Sequence, residues 1–270
     1  MKKTISVAAG LAVMALPAHA ALVSYYNLNE SSGNVLDQTA TTGPGTPAGT
    51  LAYSQASVPA GTYGAITVSA AVSSSFGTAV DFASPGIGNF RITNDAPINA
   101  LTNGAAGTGS MTFSAWLKPE GIVPGVYQTL ASTGQASTGW KLTLRPEGTL
   151  QFVGTGVVAA GQSTVNLAND QWYHVAMTYN NSNVEYFVNG ASAGTTTIGL
   201  FNDEGAGAET KIGGRAGGFE NFFGLMDEVK YDDAILTAGE IQASATAVPE
   251  PSSSALLGLA GLALILRRRK

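Results

Sequence analysis

The side chains best suited to chemistry in this chain are its carboxylates, and their spacing limits what they can do. One group is Asp203, Glu204 and Glu209 in a glycine-rich stretch; the other is Asp227, Glu228, Asp232 and Asp233 around a strand-like run. Cleaving a glycosidic bond takes two carboxyl groups about 5–9.5 Å apart. Strand alternation would put Asp227 and Glu228 on opposite faces, and Asp232-Asp233 reads as a turn, so no such pair is expected. His174 is the one histidine outside the N-terminal segment that carries His19. A Ser-His-Asp arrangement would need its ring exposed beside a nucleophile. It sits mid-strand, where the simplest reading is a hydrogen-bonded structural residue. The chain has no cysteine, which removes thiol catalysis and thiolate zinc sites. Gly213-Gly214-Arg215-Ala216-Gly217-Gly218 lacks the Lys-Ser/Thr ending and following helix of a phosphate loop. No catalytic residue is assigned, and glycan cleavage is the lesser alternative.

Strands dominate the segments that must position these groups. Met111, Phe113, Ala115 and Leu117 share one face of an alternating run. Trp140–Arg145 alternates too, Pro146-Glu147-Gly148 turns the chain, and Leu150–Val153 returns as a hairpin. In Trp172–Tyr179, the residues Tyr173, Val175, Met177 and Tyr179 face one way, and His174 the other. Asn180–Asn183 turns into Val184–Val188, and Asn189-Gly190 is a tight-turn signal. Lys211–Gly213 and Leu225–Tyr231 complete the visible strands. Residues 40–110 are rich in Gly, Ala, Ser and Thr and read as loops around short strands such as Ala79–Phe82 and Asn89–Ile92. Helical spacing is confined to Thr237–Ile241. Most aromatics, including Phe82, Phe113, Tyr186 and Phe187, are expected in the core because their burial is worth about 1.5–3 kcal/mol each. Five others on loop-like segments are candidates for stacking on a ligand: Tyr127, Trp140, Phe219, Phe222 and Phe223.

The two ends read as targeting segments. Lys2 and Lys3, an apolar run Ile5–Leu16 and Ala18-His19-Ala20 make a signal peptide over residues 1–20. Its run of about 12 apolar residues is too short for a bilayer core of about 30 Å. At the other end, residues 246–270 hold Pro249-Glu250-Pro251, a short apolar helix from Ala255 to Leu266, and Arg267-Arg268-Arg269-Lys270. A basic cluster after a short transmembrane helix stays cytoplasmic. Between the ends lies one domain, residues 21–245. It holds seven basic residues against 17 acidic ones, a net charge near −10. Such a surface argues against nucleic acid as a partner and tolerates neutral sugars and divalent cations.

The tail, with its Pro-Glu-Pro, apolar helix and arginine cluster, resembles the PEP-CTERM sorting signal of Gram-negative bacteria. The resemblance implies an exosortase-type processing enzyme as partner, transient inner-membrane anchoring, and then a place at the cell surface or outside the cell. The domain resembles the LamG-like jelly roll of the concanavalin A-like lectin/glucanase superfamily. The residues that carry this are Tyr26–Glu30 with Val35-Leu36-Asp37, Gly77–Phe82, Phe113–Pro119, Gln171–Ala176 with Tyr186–Gly190, and Phe223–Val229 with Leu236–Ile241. The implied fold is all-β, a two-sheet antiparallel sandwich. The Glu-x-Asp-x-x-Glu strand of the superfamily's glucanases is missing. What the resemblance implies instead is a non-catalytic surface or matrix protein that binds extracellular polysaccharide or a surface protein, or a coat component with no ligand. It also implies a structural Ca2+ where the first strand meets the last, with Asp227 supplying a carboxylate and Asn27 or Asn29 further oxygens.

Overall fold

The computed structural model describes residues 22–28, 51–54, 68–69, 79–82, 89–92, 98, 101, 109–134, 139–154, 161–198, 210–215 and 220–246. Among them are the strands β1 (Leu22–Tyr26), β2 (Leu51–Ser54), β3 (Val68–Ser69), β4 (Ala79–Asp81), β5 (Asn89–Ile92), β6 (Ser110–Pro119) and β7 (Gln128–Ser132). They continue with β8 (Trp140–Leu144), β9 (Leu150–Gly154), β10 (Tyr173–Asn180), β11 (Asn183–Val188), β12 (Ala191–Thr197), β13 (Lys211–Ile212) and β14 (Gly224–Asp232), and then helix α1 (Ala238–Thr246). Every described strand pair is antiparallel. The strands form two sheets. The eight-stranded one runs β12-β11-β10-β6-β14-β4-β3, with β1 also paired to β14. The six-stranded one runs β2-β5-β13-β7-β8-β9. The expected all-β sandwich is what the chain forms.

Alternation decides which side chains fill the space between the sheets. From the larger sheet come Met111, Phe113, Ala115, Leu117, Val175, Met177, Tyr179, Val229 and Tyr231; from the smaller come Phe90, Ile92, Trp140, Leu142, Leu144, Phe152 and Ile212. Trp140 stacks on Phe152, and Phe152 on Tyr179, with ring centroids 5.6 and 5.4 Å apart. This column ties the two sheets together. Tyr186 adds a polar tie, since its hydroxyl accepts the Phe152 N–H at 2.9 Å and donates to the Gly161 carbonyl. Burial raises its pKa to about 12, so the donor is kept. Phe82, Phe113 and Tyr186 are buried as expected. Phe187 is buried on the opposite face, under the helix with Ala176 and Ile241.

Helix α1 opens on a capping box. Glu240 N–H donates to Thr237 Oγ1, and Thr237 N–H donates to Glu240 Oε2, so two otherwise orphaned donors are satisfied reciprocally. Ile241 and Leu236 then pack on Ala176 and Phe187, covering part of the larger sheet's outer face.

β14 carries a bulge. Its register to β6 shifts between Asp227 and Lys230, and Glu228 takes φ +53°. The extra residue resets the alternation. Asp227 pairs with Trp116 on the outer face, Val229 returns to the core, and Lys230 faces outward beside Tyr25. Glu228 also reaches the outer face, where the Tyr25 hydroxyl donates to its Oε2 at 2.7 Å. Asp227 and Glu228 therefore share a face, which corrects the expectation from strict alternation.

Candidate functional site

At one end of the sandwich, the loop between β6 and β7 meets the residues leading into β14. Glu120 N–H donates to the Phe223 carbonyl, and Phe223 N–H donates to Gln128 Oε1. Gln128 Nε2 closes the link by donating to the Gly121 carbonyl at 2.7 Å. The Phe223 ring lies so close over Gly121 that a Cβ there would sit 2.7 Å from Phe223 Cβ. On this braced rim Val123, Val126, Tyr127 and Phe223 are each 41–49% exposed. Arg145 stands over the Tyr127 ring, 5.4 Å from its centroid. Its Nη1 donates to Gln151 at 2.8 Å, and its Nε to Glu147. The bond to Glu147 raises the Arg145 pKa and lowers that of Glu147, so both stay charged.

Tyr127 and Phe223, two of the five expected contact aromatics, are both exposed, on segments that Gln128 links. Two others are corrected. Trp140 is only 2% exposed because the alternation it shares with Leu142 and Leu144 turns it into the core. Phe222 is buried against Phe82, since strand-like alternation sends Phe222 inward and Phe223 outward. Phe219 lies outside the described residues.

A second constellation lies on the outer face of the larger sheet, where no local sequence pattern points to it. The register sets His174, Trp116 and Asp227 side by side across β10, β6 and β14. The Trp116 and His174 rings meet edge to face at 5.5 Å. Beside them, Lys230 Nζ lies 3.4 Å from Glu228 Oε2 and 4.8 Å above the Tyr25 ring centroid. The signal that could have found this cluster is the pairing of the first and last strands, which no local pattern reveals. The His174 backbone N–H donates to Asn189 Oδ1, but its ring Nδ1 is buried without a partner. Burial first, and then the Lys230 charge, lowers its pKa to about 4. At 2% exposure the imidazole is shut off from an outside substrate, and its unpartnered Nδ1 departs from the hydrogen-bonded ring expected of a strand residue.

The calcium ligands expected at the meeting of first and last strands fall partly here. β1 does pair with β14, and Asn27 follows Tyr26, the partner of Val229. Asn27 Oδ1 is buried with no hydrogen-bond partner, an oxygen that suits a cation. Asp227 is 1% exposed, and its Oδ1 accepts the Glu228 N–H at 2.8 Å. These two residues fit as part of an oxygen set; Asn29 lies outside the described residues. Among the described residues no three His, Asp or Glu side chains gather around a common point. The sorting residues Pro249, Glu250, Pro251, Arg267, Arg268 and Arg269 also lie outside the description. No described helix is long and apolar enough to cross a membrane.

Comparison with known proteins supplies the context. The model of the concanavalin A-like lectin/glucanases superfamily matches residues 93–242, and the PEP-CTERM protein-sorting motif matches residues 247–270. Domain 4 of AbnA, an extracellular GH43 arabinanase from Geobacillus stearothermophilus solved in complex with arabinotriose, is similar with a TM-score of 0.56. It is 21% identical, over 84% of this chain and 99% of that domain. The binding domain of Paraclostridial Mosquitocidal Protein 1 also has a TM-score of 0.56, at 14% identity over 83% of this chain and 52% of that one. Trypanosoma rangeli sialidase in complex with the inhibitor DANA reaches 0.52 at 13% identity, and this chain covers 83% of itself but only 32% of the sialidase. No curated protein matches the sequence.

Proposed function

The chain belongs to the concanavalin A-like lectin/glucanase superfamily, and from that premise we propose an exported, non-catalytic surface or matrix protein that binds carbohydrate through its aromatic rim. The PEP-CTERM motif marks the chain for export with transient membrane anchoring in a Gram-negative bacterium and for exosortase processing. The bound partner is an extracellular polysaccharide, with a surface protein as the alternative.

The observation that carries this reading is the braced rim holding Tyr127 and Phe223. An aromatic face exposed at the surface loses little by meeting the apolar face of a sugar ring, and clustered exposed apolar groups mark contact sites. Loops already fixed by Gln128 pay little ordering entropy on binding. One similar fold, the arabinanase domain, holds an oligosaccharide in its crystal structure, which supports the reading. The test is glycan-array binding by the purified protein, followed by titration of any glycan that binds. Tyr127→Ala and Phe223→Ala are each expected to weaken binding by about 2 kcal/mol, roughly 30-fold. Unfolding free energy should change by less than about 1 kcal/mol in both. Unchanged affinity in both variants would remove the rim from the account, and an empty array would favour the ligand-free coat protein.

A second reading, glycan cleavage, draws on the bulge that puts Asp227 and Glu228 on one face near Trp116. Against it, the two carboxylates are 1% and 8% exposed and are engaged with a backbone N–H, Tyr25 and Lys230. They brace β1 against β14 rather than face a groove. A reducing-end assay over a polysaccharide panel separates the two. Sugar release that Glu228→Gln abolishes would replace binding by catalysis.

Structural calcium, with Asn27 and Asp227 among its ligands, belongs to the same proposal. A cation that binds only the folded state stabilises it by about 2.7 kcal/mol at a hundredfold excess over Kd. For a domain of this size that is a rise in Tm of about 5 °C or more. Asp227→Asn should abolish the rise. A thermal unfolding curve unmoved by millimolar calcium rules the ion out.

A further inference from the structure

We propose that a groove on the outer face of the eight-stranded sheet binds an amino sugar, a hydroxyl-rich ring with a free ammonium group, as one unit of a polysaccharide. The site is separate from the aromatic rim. The two lie at opposite ends of β6, about 30 Å apart at the usual rise of a strand. The groove encloses about 420 Å³, within the ordinary range for small-molecule sites. Its floor is set by register. Thr178, Glu185 and Thr195 stand abreast across β10, β11 and β12, and Asn180, Asn183 and Thr197 form the next rank on the same face. Strands about 4.8 Å apart and ranks about 7 Å apart give a floor wide enough for a sugar ring. One rank the other way, Ala176 and Phe187 are covered by Ile241 of α1. The polar ranks therefore begin where the helix's cover ends.

A wall beside this floor is tied down. Thr112 neighbours Thr178 on β6. Its Oγ1 donates to the Ala234 carbonyl at 2.7 Å and accepts the Leu236 N–H at 2.9 Å. Ser110 Oγ donates to the Asp233 carbonyl at 3.3 Å. Ile235, caught between Ala234 and Leu236, lines the groove and is 40% exposed. An aliphatic side chain fixed beside hydroxyls and amides matches a ring with an apolar face and a polar edge. On the floor, Thr197 Oγ1 donates to Asn183 Oδ1 at 3.1 Å, and Ser192 Oγ donates to Glu185 Oε1 at 2.6 Å. These side chains are oriented before a ligand arrives. Charge selects the class of sugar. Glu185 is the one acidic or basic side chain in the lining and is half-buried. Among the described residues no basic side chain pairs with it. From Asp232 to Thr246 the chain carries Asp232, Asp233 and Glu240 and no Lys or Arg. Such surroundings repel a uronate and draw in a cation. An ammonium group on the sugar meets the Glu185 carboxylate in a charge-assisted hydrogen bond, roughly twice as strong as one between neutral groups. The ring hydroxyls then meet the Thr and Asn side chains.

The experiment is a methyl-detected NMR titration of the full-length protein, labelled at its Ile and Thr methyls. The probes are a glucosamine trimer and its N-acetylated counterpart, at about pH 6, where the sugar amines are charged. The signals of Thr178, Thr195 and Ile235 are expected to move, and the glucosamine trimer to bind about tenfold more tightly than the N-acetylated one. Raising NaCl from about 50 to 300 mM should narrow that gap. Glu185→Gln should cost about tenfold in affinity for the glucosamine trimer and level the two probes. The methyl signals of the buried Ile92 and Ile212 should stay in place in that variant, which separates lost recognition from lost structure. No binding, equal affinity for the two trimers, undiminished affinity in Glu185→Gln, or shifts confined to other parts of the surface overturns the inference. So does a lysine trimer that binds as tightly as the glucosamine trimer, because amines alone then suffice. Each of these outcomes leaves the rim reading standing, since the rim is tested by its own variants.

Discussion

Trp140→Ala is expected to cost about 3–5 kcal/mol of unfolding free energy, a large share of the roughly 5–15 kcal/mol that ordinarily holds a domain folded. Trp140 is the first ring in the column that continues through Phe152 to Tyr179 and joins the two sheets. Truncation leaves a cavity that two stacked rings on separate strands cannot collapse to fill, and it removes the stacking as well. Trp140→Phe is the control. It keeps an aromatic in the column and deletes the indole Nε1–H, which is buried without a hydrogen-bond partner. Removing an unsatisfied donor returns part of the free energy lost with the smaller ring, so the expected cost is about 1 kcal/mol or less. Urea denaturation measures both. Full stability in Trp140→Ala, or a loss of glycan binding in a fully stable Trp140→Phe, would restore Trp140 as a surface contact.

The second large effect is hidden in the wild-type protein because two groups oppose each other. Burial and the Lys230 charge bring His174 to about 4, below its ordinary 6.5. Between those values the unfolded chain binds a proton that the folded one refuses, so stability is lost as pH falls from 6.5 toward 4. Asp232 moves the other way. Burial is the main cause, with Asp233 and Glu240 adding to it and Lys230 opposing, and the carboxyl rises to about 7 from 3.8. In that window the folded chain holds a proton that the unfolded one has released, so stability is lost as pH rises. At 1.36 kcal/mol per unit the full effects are about 3 and about 4 kcal/mol. The wild-type curve should therefore be nearly flat between about pH 4.5 and 6.5, where the slopes cancel. Asp232→Asn should uncover a stability that climbs with pH, and His174→Gln one that falls. Denaturation midpoints at several pH values read both; two variants with the same sign of slope would contradict the assignment.

How much of this was written in the local sequence depends on the element. β6, β8, β9, β10 and β11 alternate apolar and polar residues, because each has one face on the core, and they are legible. β12, with its Ala-Ser-Ala-Gly-Thr-Thr-Thr, is an edge strand with little apolar pattern, and only the Asn189-Gly190 turn before it hints at a return strand. The bulge in β14 was illegible. A left-handed backbone is signalled by Gly, Asn or Asp, whereas here it falls on Glu228, held by Tyr25 from 203 residues away. Trp140 is legible in the opposite way: its alternation with Leu142 and Leu144 points inward, and its loop-like flank does not change that. At Phe222-Phe223 the types are identical, and only the register into β14 decides which ring is exposed. The register across the smaller sheet could not be read at all. Arg91, Lys141 and Lys211 are far apart along the chain, and the pairing of four strands is what lines them up.

The place of β14 has a consequence for how the molecule comes into being. This strand hydrogen-bonds to β6 on one side and to β4 and β1 on the other, yet it is the last of the described strands in chain order. A polypeptide threaded outward from its N-terminus would deliver the keystone after every neighbour had already emerged. Until then the first strand has no partner and the larger sheet has a gap at its middle. Late, long-range closure of this kind is slow and leaves sticky edges open. Closure of the larger sheet thereby waits on the C-terminal part of the domain.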